Sequence, residues 1–279
     1  MKTKLPMLRI LLAAITAACL AGTAHSQALF YDSFENDTVA IGDLNGKATS
    51  DGNASYTVAI TSSYFQKRAI DWTETDATVA TSLGGNVGRI YQNANATTWV
   101  TISTNFDTID SYVFDIPYIV FTAATNSTGS FSIVANSNIN TLRGAFTFTF
   151  TSGNSSIGIS YVDPDTNMAA SIGTITGTKS TRTTSSYYLT DVRIVVKGNT
   201  QQLFIGGVAY SSVVATRGIA NDGIADQIRL FSKADSVGAF DVQIDNISAT
   251  AIPEPAATVT LFAAGALVAL AICCRMRRS

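Results

Sequence analysis

The chain predicts an all-β fold: a single antiparallel β-sandwich set between two apolar chain ends. Three observations carry this. Thr, Ser, Val, Ile, Tyr and Phe dominate the long central region, with Gly and Asn between them. Short segments there alternate apolar and polar residues with the period of two that gives a strand one buried face. Polar turn signals separate those segments, and no long amphipathic helical pattern interrupts them.

The elements follow in chain order. Lys2, Lys4 and Arg9 precede an apolar stretch from Ile10 to Leu20, and Ala24-His25-Ser26 fits a small-x-small cleavage site. Residues 1–26 are therefore expected to be a helical secretory signal peptide, handled by Sec machinery and signal peptidase. Cys19 is read as part of its apolar core rather than as a lipidation site. Strands are predicted at Thr98–Ser103, Ser111–Thr122, Ser130–Val134, Ile157–Val162, Gln202–Ile205 and Gln227–Phe231. Three alternations are especially regular. Phe146, Phe148 and Phe150 alternate with Thr147, Thr149 and Thr151; Val192, Ile194 and Val196 with Arg193, Val195 and Lys197; Phe240, Val242 and Ile244 with Asp241, Gln243 and Asp245. Gly84-Gly85-Asn86, Asn126-Ser127-Thr128-Gly129, Ser152-Gly153-Asn154, Lys197-Gly198-Asn199 and Asn221-Asp222-Gly223 read as turns, and Asn86–Gly88 as loop. No internal repeat and no polar linker divides residues 27–252, so one domain is expected there.

At the far end, Pro253-Glu254-Pro255 precedes 19 uncharged residues, Ala256–Cys274, followed by Arg275, Arg277 and Arg278. As a helix that run would rise roughly 28 Å, about the thickness of a bilayer's hydrocarbon core. The two prolines bias their neighbours toward extended backbone, so the helix would begin after them. The arginines would hold the cytoplasmic side. Span and charge alone fit a plain membrane anchor.

Composition limits the chemistry. Between the two ends lie 12 Lys and Arg against 19 Asp and Glu, a net charge of −7, which disfavours nucleic acid as a partner. The one histidine, His25, and all three cysteines, Cys19, Cys273 and Cys274, lie in the ends. Residues 27–252 can therefore form no disulfide, Ser-His-Asp triad, Cys-His nucleophile or His- or Cys-ligated metal site. Paired-carboxylate chemistry survives that filter, but the only glutamates there, Glu35 and Glu74, are far apart and in polar, turn-like surroundings. A protein that is not an enzyme is expected on these grounds.

The order Pro-Glu-Pro, apolar run, arginine cluster and chain end closely resembles the PEP-CTERM sorting signal of Gram-negative bacteria, over residues 253–279. That resemblance implies processing by exosortase, a membrane protease, after a transient hold in the inner membrane. Release to the cell surface or the exopolysaccharide matrix would follow. A second resemblance, to the jelly-roll sandwiches of laminin-G-like and concanavalin-like lectins, rests on Leu203-Phe204-Ile205-Gly206-Gly207 and on Phe240–Ile247. It extends loosely over Ala28–Ile252 and implies a fold, not a function.

Candidate ligand contacts follow. Trp72, Tyr187 and Tyr188 could stack on sugar rings, or pack in the core or at a strand edge. Trp99 is expected in the core. Asp163, Asp165 and Asn167 place oxygens at alternate positions of a loop, as a calcium site would, and equally as an ordinary Asp-Pro-Asp turn would; no other cofactor is expected. The leading expectation is an exported, non-enzymatic surface or matrix protein that binds polysaccharide. The alternatives are a carbohydrate-active enzyme using aspartates and a purely structural coat protein.

Overall fold

In the computed structural model, period-two patterning becomes strand almost everywhere. The structure describes residues 27–35, 42–69, 85–104, 111–135, 140–180, 185–216 and 227–252. The expected signal helix, the Pro-Glu-Pro tail with its apolar run, and Trp72 lie outside the described residues.

The strands are β1 (Ala28–Asp32), β2 (Gly42–Asp43), β3 (Ala54–Ala69), β4 (Asn86–Thr104), β5 (Ser111–Ala123), β6 (Thr128–Val134), β7 (Ala145–Thr151), β8 (Ser156–Val162) and β9 (Ala169–Thr176). They continue with β10 (Thr178–Lys179), β11 (Ser186–Lys197), β12 (Thr200–Ile205), β13 (Val208–Ala209), β14 (Val214–Ala215), β15 (Gln227–Ala234), β16 (Phe240–Asp245) and β17 (Ile247–Ala251). All fall within Ala28–Ala251, a unit of its own. Among the described residues there is no helix, and the strands join into one curled antiparallel sheet.

The long hairpin of β3 and β4 makes the curl. Its outer half, Ala54–Thr61 against Thr97–Thr104, carries β15 and then β6, β7, β8 and β9. Its inner half, Ser63–Ala69 against Asn86–Gln92, carries β16, then β5, β11 and β12. The register slips between Thr61 and Ser63, and Asn95 opposite adopts φ 62°. A bulge of this kind bends and twists a hairpin, letting one pair of strands serve both halves of the sheet.

Aromatic side chains fill the space between the halves. Phe121 of β5 lies 6.4 Å from Phe131, 6.1 Å from Phe148, 6.2 Å from Phe150 and 6.4 Å from Phe240, ring centre to ring centre. All five rings are fully buried. The Phe-Thr alternation of β7 thus has the physical sense expected of it: the rings face the core, while Thr149 and Thr151 face solvent.

Two glycines read as turn or loop belong to strands, and the reason is steric. Gly129 is the second residue of β6, where a Cβ would stand 2.0 Å from the Phe240 ring. Gly88 lies in β4, where a Cβ would stand 2.6 Å from the Phe34 ring. The residue type reports a close approach rather than a bend. Gly129→Ala is expected to cost about 3 kcal/mol in denaturant unfolding, because neither a central strand nor a buried ring can move aside. Phe240→Leu in the same chain should recover part of that loss. Trp99, expected in the core, instead lies half-buried on the outer surface of β4, 4.5 Å from Phe231.

Buried charge near the N-terminal strand is satisfied locally. Asp32 accepts from the Phe34 amide at 2.7 Å, Ser50 Oγ at 2.6 Å and Tyr56 Oη at 2.7 Å. Burial, and then the Asp32 carboxylate, push the Tyr56 hydroxyl well above its ordinary pKa. A second carboxylate ties β6 to the loop before β16: Asp235 accepts from the amides of Thr128, Val237 and Gly238 at 2.5, 2.9 and 3.2 Å. Desolvation opposes ionisation there, but these donors outweigh it and lower the Asp235 pKa below 3.8. Stability from a lowered carboxylate pKa is complete above the unfolded value and is lost as pH falls through the folded value. Asp235→Asn should therefore cost about 0.5 kcal/mol at pH 7, discounted for exposure, and flatten the acid limb of the stability profile below about pH 4.

Candidate functional site

The face of β5, β11 and β12 turned away from the core carries an open groove. Its phase is set by a local break. Asp191 and Pro117 stand opposite one another where the β5–β11 pairing is interrupted, and Asp191 adopts φ 52°. Below the break Phe114, Ile116, Val192, Ile194 and Val196 face the core; above it Ile119, Phe121 and Leu189 do. The change of phase turns Asp115, Arg193 and Val195 outward on one side and Tyr118 and Tyr188 outward on the other. Proline tolerates such a site because it has no amide to give to the ladder.

The groove is lined by Asp191, Arg193, Val195, Phe204, Gly206 and Gly207 and encloses about 420 Å³, within the range of about 300–1,000 Å³ usual for ligand sites. Phe204 of β12 stands opposite Arg193 of β11 in the ladder. Gly206 and Gly207, with φ 58° and 75°, make the two-residue turn into β13, a conformation that needs φ above zero at both positions. The Gly206 amide donates to the Asp191 carbonyl at 3.2 Å, holding that turn beside the break. Arg193 Nε donates to Asp115 Oδ1 at 2.5 Å, with 53% of the Arg193 side chain and 24% of Asp115 exposed. The groove thus offers an aromatic ring, the Asp191 carboxylate and a guanidinium that is paired with Asp115 of β5.

On the same outward face lies a tighter polar cluster. Arg89 of β4 is bound to Asp241 of β16 at 2.8 Å through Nε and at 2.6 Å through a terminal nitrogen. The Arg89 guanidinium lies 5.1 Å from the Tyr91 ring and 5.8 Å from Tyr64, and those two rings stack at 5.1 Å. Burial disfavours the charged guanidinium, but Asp241 and Tyr64 reverse that and raise the Arg89 pKa. Tyr118 and Tyr188 form a second stacked pair at 4.9 Å, only 4% and 6% exposed. Arg89 and Asp241 are themselves buried and none of these residues lines the groove, so the cluster is a structural wall of the sheet, while the groove is the accessible part.

The expected site residues separate. Tyr187 and Tyr188 alternate to opposite faces: Tyr187 packs on the core, 5.9 Å from Phe150, and Tyr188 stacks on Tyr118. They do not form one platform. Asp163 Oδ1 accepts from the Asp165 amide at 3.0 Å and from the Thr166 amide and hydroxyl at 2.8 and 2.9 Å. These donors lower its pKa. The Asn167 amide returns to the Asp163 carbonyl at 2.9 Å, with Asn167 at φ 57°. The loop is a turn closed by its own first residue. Among the described residues no group of three or more His, Cys, Asp or Glu gathers as metal ligands. Nothing in the sequence singled out Asp191, Arg193 and Phe204 as residues that would line one groove. Only the Leu203–Gly207 pattern pointed to this place, and it did so as a fold signal.

No protein-family model matches the chain, and no curated protein does. Several solved structures are similar. One is the carbohydrate esterase from the Shiga toxin-encoding bacteriophage phi24B, at 13% identity over 81% of this chain and 99% of the other, with a TM-score of 0.47. A second is the binding domain of botulinum neurotoxin DC in complex with rat synaptotagmin II, at 11% identity over 81% of this chain and 51% of the other, TM-score 0.41. A third is the alginate lyase A1-II′ of polysaccharide lyase family 7, at 12% identity over 76% of this chain and 93% of the other, TM-score 0.37. One expectation is corrected here, that the protein is not an enzyme. The similar structures include an esterase and a lyase. The missing histidine and cysteine side chains exclude particular mechanisms only, and leave the acids, tyrosines and arginines of the domain untouched. The exclusion is withdrawn, and likenesses this distant assign no activity in its place.

Proposed function

We propose that this protein is an exported polysaccharide-recognition domain, a jelly-roll sandwich of the concanavalin and laminin-G kind, that meets its ligand in the groove beside Phe204. The observation that carries the reading is the groove itself, an open cavity of about 420 Å³ that sets an aromatic ring beside charged hydrogen-bonding groups. An aromatic face matches the C–H face of a pyranose ring, and carboxylates accept hydrogen bonds from its hydroxyls. The chain ends support the setting: a signal peptide for export, a transient hold in the inner membrane through Ala256–Cys274, and exosortase processing near Pro253–Pro255. The destination is then the cell surface or extracellular matrix of a Gram-negative bacterium. Calcium at Asp163, Asp165 and Asn167 is not needed for the reading.

The test is affinity electrophoresis of the Gln27–Ile252 fragment through gels holding different polysaccharides, with released sugar measured in parallel. Retention that falls at least fivefold in Phe204→Ala supports the reading; retention unaffected by that change sinks it. Released product would show turnover accompanying binding. For sorting, alanines at Pro253, Glu254 and Pro255 should leave an unprocessed protein in the membrane fraction. An unchanged C-terminus and location would reject the sorting signal.

A further inference from the structure

The charges in the groove are unequal in number and are already partly committed, and this bears on which glycans can enter. Arg193 is the one cation among its lining residues, and Asp115 holds its Nε at 2.5 Å. Asp191, exposed and held at the break in β11, is the one carboxylate among the lining residues. The three groups together carry a net charge of −1. The next cation along that face of β11, Lys197, is exposed and is not among the lining residues. Resting on the glycan reading above, we infer that the groove selects neutral polysaccharide chains and rejects carboxylated ones, with Asp115 as the residue that sets this selectivity.

The physical reason is competition. A uronate carboxylate entering beside Phe204 would have to share Arg193 with Asp115 while approaching Asp191. Two like charges about 4 Å apart repel by about a factor of five in affinity even in water. A neutral sugar meets no such opposition, because its hydroxyls can donate to the Asp191 carboxylate and accept from the guanidinium. The excess of acids over bases in residues 27–252 acts in the same direction at longer range.

The experiment uses the Gln27–Ile252 fragment with a neutral glucan and with alginate and polygalacturonate, at low ionic strength. The native fragment is expected to bind the glucan at least fivefold more tightly than either uronate polymer. Asp115→Asn, which leaves Arg193 without its carboxylate partner, should raise uronate binding relative to glucan binding by about fivefold. Asp191→Asn should act in the same direction. Asp115 and Asp191 are both accessible, so the variants should fold, and their unfolding midpoints confirm it. Uronate binding equal to or tighter than glucan binding in the native fragment overturns the inference and leaves the glycan reading standing. Asp115→Asn without gain for uronates overturns the role of Asp115. Retention of no polymer at all overturns the glycan reading, and the selectivity falls with it.

Discussion

Phe121→Ala should destabilise the domain by about 4 kcal/mol, measured as a shift of the urea midpoint in the Gln27–Ile252 fragment. Phe121 is fully buried and contacts rings from β6, β7 and β16, so its removal leaves a void bounded by four aromatic groups. Aromatic rings relax poorly into such a void, which places the loss toward the upper end of core truncations. Phe121→Leu should cost about half as much. The matching truncation at Phe204, which is only half-buried at the groove, should cost no more than about 1 kcal/mol. A domain of this size has roughly 5–15 kcal/mol in total, so Phe121→Ala is expected to fold but to unfold well before the native chain. A loss at Phe121 no larger than at Phe204 would mean that the two halves of the sheet do not pack as described.

Asp241→Ala should cost about 3 kcal/mol, for an electrostatic reason. It strands the Arg89 guanidinium, 7% exposed, beside two tyrosine rings with its main counter-charge removed. The charge cannot be given up, because the guanidinium stays protonated at any ordinary pH. Replacing both partners by apolar residues, Arg89→Met with Asp241→Leu, should recover much of the loss, since the Arg89 charge is removed together with its counter-charge. Glycan retention in that double variant distinguishes a wall from a ligand contact. Binding unchanged from native supports the assignment of the cluster as support, and loss of binding at native stability would move the site to Arg89.

Much of the strand pattern was legible in the chain because it is local. The Phe-Thr alternation of β7 and the Phe240–Asp245 alternation of β16 each put rings and aliphatic groups on one side, and the structure buries those sides. The two-residue turn at Gly198-Asn199 was legible for the same reason. The polar side of β16 was not, since Asp241 and Asp245 read as solvent-facing yet are 5% and 1% exposed. Asp241 is covered through Arg89, 152 positions away, and no local period reports such a pairing. The same limit applies to Gly88 and Gly129, whose need for a missing side chain is set by Phe34 and Phe240. It applies again to Tyr187 and Tyr188, adjacent in the chain and therefore on opposite faces of a strand.

What the sequence determined by itself is the class of protein and the chemistry open to it. Alternation forces strands, and the absence of His and Cys from residues 27–252 removes whole mechanisms without any coordinates. The terminal Pro-Glu-Pro, apolar run and arginines define an expected address in the same local way. The tertiary structure alone decided where a ligand could be met. Asp115, Asp191, Arg193 and Phe204 come from three strands, and a break in phase at Pro117 and Asp191 turns Asp115 and Arg193 outward together. That convergence depends on register between strands distant in the chain, which hydrogen-bond pairing across the sheet sets and residue order alone does not express.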